Sequence, residues 1–481
     1  MNYRYKLKST AEQNATMIEW LNCCRNQYNY RLGERFRWWE STRSPVNACP
    51  LSVSIVPVET IYQNIPEYRI QVRDGRKLGN DGLPITKKGD KHSNIVSGYV
   101  QWQTVQLADL KNTKKLFPRY KKLHSQVLQD VINRVETAFS NFIKPNKNGE
   151  RSGKPRFKGL HYYKSFSYSQ LKNKHIDEEK GYVELPGIGF VATIFHRPIP
   201  SGFVVKVGTV KLEADGWYIS LTVEDKSVPI KEEEAISPTK QNSIGIDLGL
   251  ERFLTQDNGS YVEIPQFLRH SSKRLARLQH RKDKLKNGSK DKKKLHQAQS
   301  REAQSVARRD LRVLNTRCAK LHQKIARQRL NFQFRVAYLL FEQADVVFVE
   351  DLKLKNLIRR NKPKPDGKRG FVPNRQAQKA GMNKSWLDAG HSSFVAILEW
   401  VAWKLGKRVI KVNPWGTSQF CSSCLRKTPK TLSDRWHEHD CGISIHRDHN
   451  SARLIKSVGL GLALRKFAPS REKRLALYAI A

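Results

Sequence analysis

Two short apolar runs that each carry an acid at their end limit the fold of this chain more than any other feature. Ser243-Ile-Gly-Ile-Asp-Leu-Gly-Leu250 holds Asp247, and Asp345-Val-Val-Phe-Val-Glu-Asp-Leu352 holds Glu350. A near-continuous apolar run of strand length is the mark of a strand buried on both faces, which usually means a parallel strand covered by helices. Sheets of that kind place their polar chemistry at strand carboxyl ends. Helical stretches and a further strand-like run, Arg408-Val-Ile-Lys-Val412, follow in the order expected of a ribonuclease-H-like α/β domain.

The charge balance narrows the partner. The chain has 481 residues, enough for two to four domains, and carries 88 Lys and Arg against 44 Asp and Glu, a net charge of +44. That excess points to a polyanion, with nucleic acid favoured over a membrane surface or a ribosomal setting. No apolar run approaches the roughly 20 residues that span a bilayer, so no membrane partner is expected. Met1-Asn-Tyr-Arg-Tyr-Lys-Leu-Lys8 lacks the apolar core and cleavage site of a signal peptide. Seven cysteines, an odd number at low density, argue against a disulfide framework.

Residues 1–8 alternate as a strand does. Thr10-Ala-Glu-Gln13 is a capping box before a helix with Ile18, Leu21, Tyr28 and Leu32 inward. Residues 41–100, rich in Pro, Gly, Ser and Asn, read as an insertion or long loop. A helix is expected over 125–143, then a basic loop with Lys154, Arg156 and Lys158. Five strand-like runs between 161 and 226 suggest a small antiparallel barrel or sheet. From 269 to 330 the chain carries 21 Lys and Arg against 4 acids, including Arg274, Arg277 and Arg281, a density that self-repels unless a phosphate backbone neutralises it. Asn287-Gly-Ser289 is expected to break this stretch into two helices, and 359–384 to be a basic loop.

A third acid, Asp448, stands among basic neighbours seven residues after Cys441. Three carboxylates suffice to hold two Mg²⁺ ions when a substrate phosphate completes their shells, which is the chemistry of phosphodiester hydrolysis. Asp247, Glu350 and Asp448 are therefore the candidate catalytic and Mg²⁺-binding residues. Cys421-Ser-Ser-Cys424 and Cys441 form a thiolate knuckle in need of a fourth ligand. His439 is preferred to His437, and structural Zn²⁺ is the ion favoured by mixed Cys and His donors.

With these residues in hand, the chain resembles the TnpB family, the insertion-sequence ancestors of compact type V CRISPR effectors. The resemblance rests on an ordered set: Tyr3-Arg-Tyr-Lys-Leu7, Gly153-Lys-Pro-Arg-Phe-Lys158, Leu185-Pro-Gly-Ile-Gly189, Gly245-Ile-Asp-Leu-Gly249, Val349-Glu-Asp-Leu352, Trp386 with Asp388-Ala-Gly390, Thr417-Ser-Gln419, Cys421-x-x-Cys424 and Arg447-Asp-His-Asn-Ser-Ala452. It implies an α+β multidomain chain: a wedge β-barrel with a helical recognition lobe, plus a RuvC nuclease with an inserted zinc finger. The boundaries would be 1–9 for a wedge strand, 10–149 for the lobe with its 41–100 insertion, and 150–230 for the wedge barrel. RuvC would span 240–414 and 446–481, with the finger at 415–445.

By the same resemblance, Asp247, Glu350 and Asp448 match the RuvC carboxylates. The partners would be a guide RNA and double-stranded target DNA, cut beside a short motif that the protein reads, in a prokaryotic cytoplasm with nucleoid association when bound. The second cysteine pair of the finger lacks its first cysteine, with Glu438 or His439 near that place. A miniature type V effector with an array-derived guide and a non-cleaving guided regulator of transposition are the alternatives.

Overall fold

The computed structural model describes residues 1–41, 64–66, 99–146, 149–225, 236–291, 301–352, 354–367, 370–428, 430, 434–462 and 479–480. The chain divides into two compact units, Met1–Val228 and Pro229–Ala481. Most of the 41–100 stretch lies outside the described residues; within it, Asn64–Pro66 pairs antiparallel with Tyr99–Gln101.

The first unit is built on a seven-stranded antiparallel sheet, ordered Ser165–Tyr168, Val204–Glu213, Gly216–Glu224, Asn2–Lys8, Gly189–Ile194, Tyr182–Leu185, Ile176–Asp177. The N-terminal strand thus lies inside the sheet, with Tyr5 opposite Ile219. Tyr3, Tyr5 and Leu7 are buried and the residues between them are not, the period of two that a strand with one covered face requires. The capping box forms as spelled. Thr10 Oγ1 accepts from Gln13 N at 3.2 Å and Gln13 Oε1 from Thr10 N at 3.1 Å, which opens the helix Ala11–Ser41.

Leu21, Tyr28 and Leu32 are buried on that helix, but Ile18 is 42% exposed, because the apolar stripe passes through Met17 and Trp20 instead. The helix Ser125–Ile143 buries Leu128, Val131, Ile132, Val135 and Phe139, and Phe36 meets Phe139 at 6.1 Å.

Two basic residues of the first helix are spent internally. Arg31 is fully buried and bonds Glu34 at 2.9 Å, Asp109 at 2.7 Å and Thr113 at 2.6 Å. Arg35, 1% exposed, bonds Gln106 at 3.0 Å and Glu136 at 2.5 Å. A buried guanidinium left without its carboxylate is costly. Glu136→Ala is expected to destabilise this unit by about 3 kcal/mol, read as a lowered midpoint in urea unfolding.

The second unit carries the sheet Tyr261–Glu263, Arg252–Gln256, Ser243–Asp247, Val346–Glu350, Arg408–Val412, Ala479–Ile480. Its three central strands are parallel; the hairpin on one side and the last strand pair antiparallel. Val346, Val347, Phe348 and Val349 are all fully buried, so the middle strand is covered on both faces. Val347 and Val349 face a core with Phe253 of the neighbouring hairpin and with Phe341, Phe394 and Val401, from the helices Arg301–Gln343 and His391–Leu405. Val346 and Phe348 face Leu454, Ile455 and Val458, from the helix Arg447–Gly459.

Two expectations are corrected. The helix Phe267–Asp291 runs through Asn287-Gly-Ser289, since one internal Gly costs about 1 kcal/mol, too little to end a helix of this length. The 359–384 stretch is not all loop: Gln376–Ala389 is helical, entered from a left-handed Arg375 and closed by a left-handed Gly390.

Candidate active site and metal centre

Asp247 and Glu350 end neighbouring parallel strands. Ile246 pairs with Val349, and one residue further each strand closes on its acid. Asp448 arrives from the other side, as the second residue of the helix Arg447–Gly459. Asp448, Ala452 and Lys456 recur every fourth residue and share one helix face. Gly245 shares a strand face with Asp247, two residues on. A Cβ at Gly245 would fall against the Ala452 carbonyl and 2.8 Å from Lys456 N, so helix and strand pack backbone to backbone here. The Asp448 carboxylate overhangs the turn after Asp247: its Oδ2 lies 3.9 Å from where a Gly249 Cβ would stand.

The electrostatics mark these acids as a set. Asp247 is driven well above the ordinary carboxylate range, first by burial and then by the charges of Glu350 and Asp448, with Arg447 pulling the other way. Burial lifts Glu350 to about 7, opposed by the hydroxyl of Thr417, which donates to Oε1. Both keep part of their surface open, as a site admitting a substrate needs. Asp448 is buried, with Arg447 Nε 3.4 Å from Oδ1 and His446 Nδ1 3.8 Å from Oδ2. Two desolvated carboxylates, one of them facing the charges of both its neighbours, suit divalent cations, which would relieve the cost that burial imposes.

Cys421, Cys424, His439 and Cys441 present ligand atoms all within 4.8 Å of one another, the one such cluster among the described residues. Cys421 and Cys441 sulfurs are 3.6 Å apart, and Cys424 Sγ is 3.4 Å from His439 Nδ1. A tetrahedral zinc with ordinary bond lengths would require roughly 3.8 Å and 3.5 Å, so the donors fit that ion. Burial pushes the Cys421 thiol up; the Cys441 thiol is drawn down to about 6, the Ile443 N–H and its cysteine and histidine neighbours overcoming desolvation. His437 is not part of the cluster. Its ring is fully buried, parallel to His439 within 8° at 6.4 Å, and neither nitrogen finds a partner.

The basic candidates fall in different units. Lys154 and Arg156 are exposed and Lys158 half-buried on a loop along the first helix. Lys154 Nζ sits 4.6 Å over Phe36, and Lys158 is tied to Asn29 by its backbone, at 2.7 and 2.9 Å. Gly33, Phe36, Arg37 and Phe157 line a groove of about 550 Å³ beside them. Arg274, Arg277 and Arg281 are exposed on the helix whose Leu275 packs with Leu321 and Ile325.

Residues other than the three candidate acids organise the surroundings of the site. His391, fully buried, has Nε2 2.9 Å from the Gly249 carbonyl, and burial lowers it to about 4, so it holds the turn after Asp247 as a neutral ring. Asp388 accepts the N–H groups of Leu268 and Arg269 at 3.1 and 3.3 Å, and Arg329 at 3.0 Å, which starts the Arg274 helix. The Trp386 and Asp388-Ala-Gly390 motif was the available signal for these.

Three family models match: "Probable transposase" over residues 227–361, "Cas12f1-like, TNB domain" over 391–455, and "Helix-turn-helix domain" over 1–44. In this chain residues 1–41 form one strand and one unbroken helix. A "Putative RNA-guided DNA endonuclease" of Streptomyces pristinaespiralis is 26% identical over 366 residues, covering 75% of this chain and 78% of that protein. The "Putative RNA-guided DNA endonuclease InsQ" of Escherichia coli K12 is 28% identical over 344 residues, 70% and 74% of the two chains. The "TnpB-like protein L770" of Acanthamoeba polyphaga mimivirus is 23% identical over 297 residues, 60% of this chain and 50% of that protein. Among solved structures, a chain of the Cas12f1-sgRNA-target DNA complex aligns over 95% of this chain and 98% of its own length, with 13% identity and a TM-score of 0.26.

Proposed function

Because the chain belongs to the TnpB family, we propose that it is an RNA-guided, Mg²⁺-dependent DNA endonuclease that cuts target DNA through a single RuvC-type site. The arrangement that supports this reading is Asp247 and Glu350 at the ends of neighbouring parallel strands, with Asp448 on the helix packed against the Asp247 strand, on a chain of net charge +44. We read the six-stranded sheet as the RuvC nuclease and the seven-stranded sheet as the wedge barrel. Cys421, Cys424, His439 and Cys441 would hold a structural Zn²⁺.

When bound at the carboxylates, two Mg²⁺ ions would supply an activated water and neutralise charge on the leaving oxygen. The residues prepare that site. Thr417 fixes one oxygen of Glu350, His391 holds the turn after Asp247, and Arg447 offsets the repulsion at Asp247. The exposed Arg274, Arg277 and Arg281 recur along one helix and suit a phosphate backbone. Base pairing with a guide RNA would read the target, leaving a short adjacent motif to the protein. The setting would be the prokaryotic cytoplasm; no helix among the described residues is long and apolar enough to cross a membrane.

The test is to sequence the RNA that copurifies, rebuild the complex with a guide of altered sequence, and map the cuts. Cleavage is expected to follow the new guide and to vanish if RNase precedes assembly. Cutting that ignores the guide would reject the reading.

A further inference from the structure

The knuckle lies in sequence between two of the three carboxylates and touches both. Thr417, four residues before Cys421, is 3% exposed. Its hydroxyl has one proton, placed between Glu350 Oε1 and the Pro414 carbonyl at 3.0 Å. Phe420, the next link, is buried with Val346, Phe348 and Val412, beneath the strand that ends in Glu350.

The other limb reaches Asp448. Asn450 is fully buried two residues after it, and both ends of its amide are used on the knuckle. Oδ1 accepts from Ser422 N at 2.9 Å, and Nδ2 donates to the Phe420 carbonyl at 2.8 Å. The returning hairpin, Trp436–His439 with Ile443–His446, runs straight into the Asp448 helix. His446 caps it by accepting from Asp448 N at 3.2 Å, and Arg447 N donates to the Arg435 carbonyl at 2.9 Å.

A segment of this size has little core of its own, and closely spaced thiolates repel unless an ion joins them. We propose that the knuckle is a positioning device for the cation site, with Thr417 and Asn450 as the positioning residues that transmit its folded shape to Glu350 and Asp448. This rests on the nuclease reading above. It assigns the knuckle a task beyond holding its own loop together: setting the affinity of the carboxylates for the divalent ion.

The experiment compares the full chain with its guide RNA as parent, Thr417→Val, Thr417→Ser, Asn450→Ala and Asp247→Asn. Zinc content, melting temperature and Mn²⁺ affinity by electron paramagnetic resonance are measured for each, with the Mg²⁺ concentration for half-maximal cleavage. Thr417→Val keeps the shape and loses the hydroxyl. It is expected to retain zinc and guide RNA while weakening Mn²⁺ binding about tenfold, the scale at which partners of metal ligands act. Thr417→Ser is expected to stay within about twofold of the parent, since it keeps the hydroxyl. Asn450→Ala is expected to follow Thr417→Val; should it fail to fold, the Val and Ser pair decides.

Parent-like Mn²⁺ affinity in a zinc-replete Thr417→Val overturns the proposal. If Asp247→Asn weakens Mn²⁺ binding and Thr417→Val does not, this inference alone fails. If neither does, the carboxylates are not the ion site and the nuclease reading fails with it.

Discussion

Replacing Asp247 with Asn is expected to lower DNA cleavage by a factor of about 10³ or more, some 4 kcal/mol of lost transition-state stabilisation, while the ion-free protein becomes more stable. The two effects share a cause. Asp247 resists ionisation because it is desolvated and faces Glu350 and Asp448. An amide of the same shape removes the repulsion and, with it, a ligand for the cation. Sites built for charge are commonly strained in this way, and relieving the strain removes the activity.

Burial of a second carboxylate gives the ion-free protein a pH signature. Glu350 titrates near 7 in the fold against an ordinary 4.5. Between those values the folded chain holds more protons than the unfolded one, so stability falls as pH rises from about 4.5 to about 7 and levels off above. The shift corresponds to roughly 3 kcal/mol at most. Melting curves from pH 4.5 to 8 in Mg²⁺-free buffer should show the decline for the parent, a shallower one for Asp247→Asn, and recovery of the parent on adding Mg²⁺. A variant that cuts within about tenfold of the parent, or that melts lower, would remove Asp247 from the site.

The strands that end in Asp247 and Glu350 were legible because their residues are nearly all apolar. Four consecutive fully buried residues before Glu350 can belong only to a strand covered on both faces, and such a strand ends where chemistry is done. The cysteines were legible by spacing. The choice between His437 and His439 was harder, because both lie on one strand two residues apart and point the same way. Only the position of Cys424 separates them, and that is a fact of tertiary structure.

Polar residues whose work is done across the fold left weaker traces. Thr417 and Asn450 stand in recognisable motifs, yet nothing local says that one holds Glu350 and the other grips the knuckle. Arg31 and Arg35 lie on a basic helix, yet acids 78 and 101 positions away consume them, and Asp109 and Glu136 have no pattern of their own. Ile18 and Gly288 mislead because a spacing or a propensity is only a prior, which packing at Met17 and Trp20 and the length of the Phe267–Asp291 helix override.

One glycine ties the whole site to backbone geometry, and Gly245→Ala is expected to reduce cleavage at least about 100-fold with guide-RNA binding kept. The neighbours of a new Cβ here are the Ala452 carbonyl and the Lys456 backbone, neither of which can swing aside as a side chain would. The helix must therefore lift, and Asp448 sits on the face that lifts, one turn from Ala452. A displacement of about 1 Å at a reacting centre costs about two orders of magnitude in rate. The clash itself should lower stability by about 1–3 kcal/mol. Lys456 cannot follow freely either, because Nζ bonds Asp257 Oδ2 at 2.9 Å while Oδ1 of the same carboxylate accepts from Gly245 N at 3.0 Å.

Gly381→Ala supplies the contrast. It lies inside the Gln376–Ala389 helix with open space around its Cβ, so the same added methyl should stabilise by about 0.5–1 kcal/mol and leave cleavage untouched. Cleavage rates and melting temperatures of the two variants, measured together, separate a local backbone clash from any general intolerance of larger residues. If Gly245→Ala cuts as the parent does, the helix does not meet the strand where we place it, and the convergence of Asp448 on Asp247 loses its geometric basis.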